Sequence, residues 1–228
     1  MSPQDDAYFE FDRPEVRALV PTEARRVLDV GCGAGALGAA LREERGIEVM
    51  GLELSPDAAA RARERLDAVV EADLDALDDL PFERGSFDAM VFGDVLEHLR
   101  DPHRLLRVLR PWLADDGALV CSIPNVGHWS VVLPLLAQDR WSYADAGLLD
   151  RTHVHFFTLT EAELMLRECG FTLQSAATTT LAQSPPPTVD HLTRFLAALG
   201  TDEPLARQRL TAYQYLLVAR PAERPRFV

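Results

Sequence analysis

The residues most able to do chemistry fall into three groups. Asp29 ends the approach to a glycine-rich stretch, Gly31-Cys32-Gly33-Ala34-Gly35, and Glu53 lies about twenty residues after Gly33. Asp94, Glu97 and His98 stand at i, i+3 and i+4, so a helix there would carry all three on one face. His128, Asp150 and His153 lie in an aromatic-rich segment further on. Alternate glycines let a backbone turn tightly against a ligand, and the helix after them offers its free N–H groups. A carboxylate at the mouth of that turn repels a pyrophosphate and attracts a cation. A histidine titrates near neutrality and is the commonest proton acceptor for a hydroxyl. Mixed carboxylate and imidazole donors suit Mn²⁺, Co²⁺, Fe²⁺ or Zn²⁺ better than Mg²⁺.

The elements that must position these groups alternate strand and helix. Val27–Val30 is a short apolar strand, and Ala36–Arg45 has helical spacing. Strand, glycine turn and helix open a doubly wound α/β domain with a nucleotide-type site. Gly33, Gly35 and Gly38 also spell G-x-G-x-x-G, so a dinucleotide oxidoreductase is the first alternative, against which the position of Asp29 argues. Ile47–Leu52 reads as a second strand ending at Glu53, with Ser55 capping the next helix and Pro56 at its first position. Further strands are expected at 68–70, 89–92, 118–123 and 171–180, and a last one at 212–219. Thr160 is expected to cap a helix running to Cys169, and 189–199 and 204–210 are amphipathic helices.

Val27-Leu28-Asp29-Val30-Gly31-Cys32-Gly33-Ala34-Gly35 matches V-L-D-x-G-C-G-x-G without a gap. It resembles motif I of the class I S-adenosylmethionine-dependent methyltransferases, in particular their type 11, 12 and 23 groups. The resemblance implies a Rossmann-like, doubly wound, seven-stranded sheet, mostly parallel with an antiparallel last strand and helices on both faces. It also implies S-adenosylmethionine as cofactor, with a metal possible but not favoured. Asp29 would hold the methionine ammonium, while Gly31, Cys32, Gly33 and Gly35 admit the ligand. Glu53 would hold the ribose, Leu54 would pack near the adenine, Asp73 beside Leu74 would meet its amino group, and Asp94 would line the methionine end. Tyr8 or Arg13 of the N-terminal segment would close over the cofactor.

Residues 126–158 crowd His, Trp, Tyr and Phe between the fifth strand and the next helix, as an inserted substrate lid in one 228-residue methyltransferase domain. Leu149-Asp150-Arg151-Thr152-His153-Val154-His155-Phe156-Phe157-Thr158 is similar to an insertion of bacterial methyltransferases associated with glycan or secondary-metabolite pathways, departing at His155 where Arg is usual. The implied acceptor is a small molecule or glycan, methylated at a hydroxyl. His153 is the first candidate base, His128 the second, and Asp150 the acid that orients an imidazole. Asp94, Glu97, His98 and His153 form the alternative metal set. A non-catalytic cofactor-binding module is the second alternative.

Composition narrows the field further. A net charge of −13 argues against a nucleic-acid backbone as partner. All 23 basic residues are Arg, which excludes a Schiff-base lysine. Cys32, Cys121 and Cys169 are isolated, as in a reducing cytoplasm, and no apolar run reaches the ~20 residues of a membrane span. Composition and spacing do not set an oligomeric state.

Overall fold

The computed structural model describes residues 12–222; Tyr8, Phe9 and Phe11 of the N-terminal segment lie outside them. The chain enters through α1 (Pro14–Arg17) and then alternates. β1 (Arg26–Val30), α2 (Ala36–Arg45), β2 (Glu48–Glu53), α3 (Pro56–Arg63), β3 (Ala68–Glu71) and β4 (Phe87–Gly93) form the first half. α4 (Pro102–Leu109), β5 (Leu113–Pro124), α5 (Trp129–Gln138), α6 (Leu159–Glu168), β6 (Phe171–Thr179), α7 (Thr188–Ala198), α8 (Glu203–Thr211) and β7 (Gln214–Pro221) form the second.

The seven strands lie in the order β3-β2-β1-β4-β5-β7-β6. β1 pairs in parallel with β2 and β4, and β5 continues that direction, whereas β7 runs antiparallel to both β5 and β6. The strand order reverses direction at β1, so the ends of β1 and β4 flank the crevice in which an open α/β sheet binds ligands.

Each face of the sheet buries its own apolar layer. Leu28, Val30, Met50, Leu52, Met90 and Phe92 pack under α4 and α6 with Leu105, Leu106, Met165 and Leu166. Val27, Val49, Ala89, Val91 and Val120 pack with Val16, Leu37 and Leu41 of α1 and α2. Alternation along a strand therefore puts Asp29 on the same side as Val27, under α2. No described helix is long and apolar enough to cross a membrane.

Three local expectations change. The cap of α6 is Thr158, whose hydroxyl accepts the Glu161 N–H at 3.3 Å, so Thr160 lies inside the first turn. β5 begins at Leu113 because 114–117 bulges: Leu113 pairs with Phe87 and Ala118 with Ala89, absorbing Asp115, Asp116 and Gly117 without breaking the strand. The helix over 94–98 does not form. Asp94 is left-handed (φ 58°) and only Leu96–His98 makes one tight turn, because the Asp94 carboxylate is drawn back over the sheet.

The glycine loop is pressed on β2. A Cβ on Gly51 would meet Cys32 Sγ at 2.4 Å and Leu66 Cδ1 at 3.0 Å. Gly51→Ala is therefore expected to cost about 1–3 kcal/mol by overpacking, read from urea unfolding; an unchanged midpoint would show that the loop does not bear on this strand.

Candidate active site

The carboxyl edge of the sheet opens into a cavity of about 830 Å³ lined by Asp29, Gly31, Cys32, Gly33, Glu53, Leu54, Asp73, Leu74 and Asp94, all of them singled out in the sequence. Gly35 stands behind it as the left-handed cap of α2 (φ 80°). Arg13, His98, Tyr213 and Gln214 complete the wall.

Hydrogen bonding in the glycine loop decides what the cavity can hold. The N–H groups of Gly31 and Cys32 both donate to the Leu52 carbonyl, at 2.8 and 2.9 Å. Gly33 N–H donates to Glu53 Oε2 at 2.9 Å, and Gly35 N–H to the Cys32 carbonyl at 2.9 Å. These four donors are committed within the protein and are not offered to a pyrophosphate. Glu53 Oε1 also accepts the Ser55 N–H at 2.7 Å, which leaves the carboxylate held in place with further lone pairs for hydroxyl donors.

Asp29 is the complement of this arrangement. It is 3% exposed, and its Oδ2 has no hydrogen-bond partner. Burial, with the nearby Glu53 charge adding, pushes its carboxyl up to about 7. An orphaned acceptor on the cavity floor fits a cationic group. Leu54 is exposed and Leu74 buried at the Asp73 end, where Asp73 Oδ1 accepts the Asp75 N–H at 3.0 Å.

Asp94 is saturated. Its Oδ1 accepts from Ser122 Oγ at 2.6 Å and Gln214 Nε2 at 2.9 Å, and its Oδ2 pairs with the Arg13 guanidinium. Arg13 reaches Ser122 Oγ as well, at 3.1 Å. Asp94 thus lines the cavity but does not join Glu97, His98 and His153. Those three do cluster: one donor atom from each lies within 4.8 Å of the others.

The histidines part company. His128 caps α5, accepting the Ser130 N–H at Nδ1 (3.2 Å), and packs on Trp129 and Tyr213. Burial lowers its pKa to about 4, and the large cavity does not include it. It holds a helix end rather than facing the site. His153 is buried behind His98, ring centroids 4.7 Å apart, and its Nε2 lies 4.0 Å from Glu97 Oε1. The Asp150 carboxylate does not reach the His153 ring: its Oδ1 accepts the Thr152 N–H and hydroxyl at 2.8 and 2.6 Å, and only its backbone carbonyl accepts the His153 N–H, at 3.1 Å. His98 is the imidazole on the cavity wall, with desolvation and the neighbouring His153 lowering its pKa. No residue of 126–158 lines that cavity directly; the segment touches two residues that do, His98 and Tyr213. The three cysteines are buried and their thiols pushed up, so none supplies a thiolate.

Ser122, Tyr213 and Gln214 carried no sequence signal. The one available cue was that an antiparallel last strand starts, rather than ends, at the carboxyl edge.

Residues 8–176 match the family model described as a methyltransferase domain. The chain belongs to the methyltransferase family. Its class is the S-adenosylmethionine-dependent class I fold. A "Ubiquinone biosynthesis O-methyltransferase" of Xanthomonas campestris pv. campestris is 37% identical over 114 residues, 48% of this chain and 47% of the relative. The chain thus spans about half the length of that relative. The protein of the same name from Xanthomonas axonopodis pv. citri is 31% identical over 168 residues, 71% of this chain and 69% of the relative. An S-adenosylmethionine dependent methyltransferase structure from Mesorhizobium loti superposes with a TM-score of 0.60 at 23% identity, over 91% of this chain and 96% of that one. The last shows the fold alone.

Asp29 gives the fold a measurable pH dependence. Its carboxyl titrates at about 7 when folded against an ordinary 3.8. The folded, ligand-free protein therefore holds the extra proton, and this contribution is full below pH ~4 and is lost as pH rises through 7. Removing the carboxylate in Asp29→Asn should flatten the fall in stability between pH 5 and pH 8, by up to about 2–3 kcal/mol. Urea unfolding of both proteins at the two pH values decides; parallel pH dependences would refute the assignment.

Proposed function

We propose that this methyltransferase-family protein moves the methyl group of S-adenosylmethionine to a hydroxyl of a small or medium organic acceptor, such as a sugar or secondary metabolite. The observation that carries the reading is the orphaned Asp29 carboxylate beside a glycine loop whose N–H groups are already committed. A donor with a positive ammonium satisfies that carboxylate, whereas a dinucleotide pyrophosphate would find repulsion and four of the loop's N–H groups already taken. The naming of the relatives as O-methyltransferases supports oxygen as the acceptor atom.

The cofactor supplies an activated methyl on sulfur: the C–O bond forms as the C–S bond breaks, sulfur keeps the electron pair and the acceptor hydroxyl gives up its proton. The chain's own residues bind and orient. Asp29 takes the ammonium and Glu53, already fixed by Gly33 and Ser55, takes the ribose hydroxyls. Leu54 and Leu74 flank the adenine, with Asp73 at its amino group. Arg13 and Asp94 close the methionine end, where the guanidinium is placed to meet a carboxylate. Orientation of this kind removes about 7–11 kcal/mol of barrier. The acceptor meets the cofactor against His98, so the Glu97–His98–His153 cluster is the group beside its hydroxyl that assists loss of the proton, by about 10²–10⁴-fold.

Calorimetry with S-adenosylmethionine, its demethylated product and NAD should give binding of the first two only. Asp29→Asn should weaken the cofactor at least about tenfold, the loss of one charge-assisted contact; uptake of NAD in preference to the sulfonium would refute the reading. His153→Ala should lower turnover at least about tenfold with cofactor affinity unchanged; full turnover would place the proton's exit elsewhere.

A further inference from the structure

Glu97 has the least accountable side chain among the described residues. It is 1% exposed, and neither carboxylate oxygen has a hydrogen-bond partner. An isolated buried carboxylate is costly, and such orphans call for an explanation. The two histidines beside it are each held by acceptors. Thr152 commits its hydroxyl proton to Asp150 Oδ1 at 2.6 Å, so towards His98 Nδ1, 3.1 Å away, that hydroxyl can only accept. The Thr152 carbonyl, 3.3 Å from the same Nδ1, can only accept as well. His98 therefore carries its proton on Nδ1 and presents Nε2 as a bare lone pair.

His153 repeats the pattern. Its Nδ1 faces the Leu148 carbonyl at 3.3 Å, which leaves the Nε2 lone pair facing Glu97 Oε1 at 4.0 Å. One ring nitrogen from each imidazole and one Glu97 carboxyl oxygen thus converge within 4.8 Å of one another. A distance of 4.0 Å is too long for a hydrogen bond, and a small inward shift lets both atoms bind one ion at about 2.0–2.2 Å. Backbone carbonyls holding the far nitrogen of each ring are the outer contacts that fix ligating histidines.

We propose that Glu97, His98 and His153 bind one divalent transition-metal ion, of the Zn²⁺, Mn²⁺, Co²⁺ or Fe²⁺ class, beside the cofactor cavity. Two nitrogens and one carboxylate favour that class over Mg²⁺ or Ca²⁺. Asp94 is not a ligand, since Arg13, Ser122 and Gln214 occupy its carboxylate. His98 is the ligand on the cavity wall, so a coordination position left open faces the acceptor. Resting on the methyl-transfer reading, the ion acts as a Lewis acid. The acceptor oxygen binds it and loses its proton to water. The oxygen lone pair then forms the C–O bond while sulfur retains the C–S pair, with no change in the metal's oxidation state.

The test uses the full chain, purified without a polyhistidine tag, stripped with chelator and titrated with Co²⁺ alone. One equivalent of Co²⁺ per chain is expected, with visible d–d absorption that Zn²⁺ abolishes. His153→Ala and Glu97→Gln should each weaken it at least about tenfold, and Thr152→Val, which frees the His98 proton without touching a ligand, about tenfold. Thr152 is exposed, so that variant keeps the measurement decisive if a buried substitution fails to fold. Absence of saturable Co²⁺ uptake by the wild type, or wild-type affinity in both Thr152→Val and His153→Ala, would overturn the site. Calorimetry with S-adenosylmethionine on the same stripped protein separates the two claims. Cofactor binding without Co²⁺ uptake removes the metal only, and Co²⁺ uptake without cofactor binding removes the methyl-transfer reading only.

Discussion

The carbonyl of Leu52 accepts two N–H groups, from Gly31 and Cys32, and the next side chain along β2, Glu53, accepts a third from Gly33. This single splice of the glycine loop onto the neighbouring strand governs both the loop and the cavity beside it. It requires left-handed backbone at Gly31 and Gly33, with φ of 71° and 56°. It requires a strand with no side chain at Gly51, where Cys32 lies against the backbone. It also decides the ligand's electrostatics. With these four donors turned inward, the cavity wall beside the loop carries the Asp29 and Glu53 carboxylates. A nucleotide-type fold is thereby biased from anionic phosphates to a cationic donor.

A second constraint is the reversal of β7. Because it runs against β5, its first residues arrive where the other strands end, and Tyr213 and Gln214 join the cavity wall. Gln214, Ser122 and Arg13 then converge on Asp94 from three separate elements. Three donors on one carboxylate account for its left-handed backbone, a conformation a non-glycine residue holds only when its surroundings insist. The consequence passes along the chain. Asp94 is pulled toward the sheet, the turn at Leu96–His98 shortens, and Glu97 drops into the interior beneath His98.

The inserted segment works at one remove. Its aromatic side chains, Trp141 and Tyr143 against Phe156, pack among themselves, and the segment meets the cavity through its hold on His98 and its contacts with Tyr213. Asp150 shapes an imidazole after all, but through the Thr152 hydroxyl and on His98 rather than His153. Positioning carried by a hydroxyl relay has little entropy to lose, since Thr152 is held at both its N–H and its Oγ.

Much of this was legible from residue order alone. Strand, glycine turn and helix are local patterns set within a short stretch of chain, so β1, the loop, α2 and the Glu53 strand end could be read directly. The same holds for Ser55 as cap and for Asp29 as the residue that separates two kinds of ligand. Three things depended on packing between distant elements. The i, i+3, i+4 spacing at Asp94, Glu97 and His98 promised one helix face, but Ser122, Gln214 and Arg13 outcompete the helix for the Asp94 carboxylate. His128 and His153 looked alike in the chain; the start of α5 claimed one as a cap, and a long return of the chain brought the other to Glu97. Tyr213 and Gln214 were silent because strand direction is a property of the assembled sheet. Local spacing determines which side chains a segment can present, while hydrogen-bond competition across the sheet decides which of them meet.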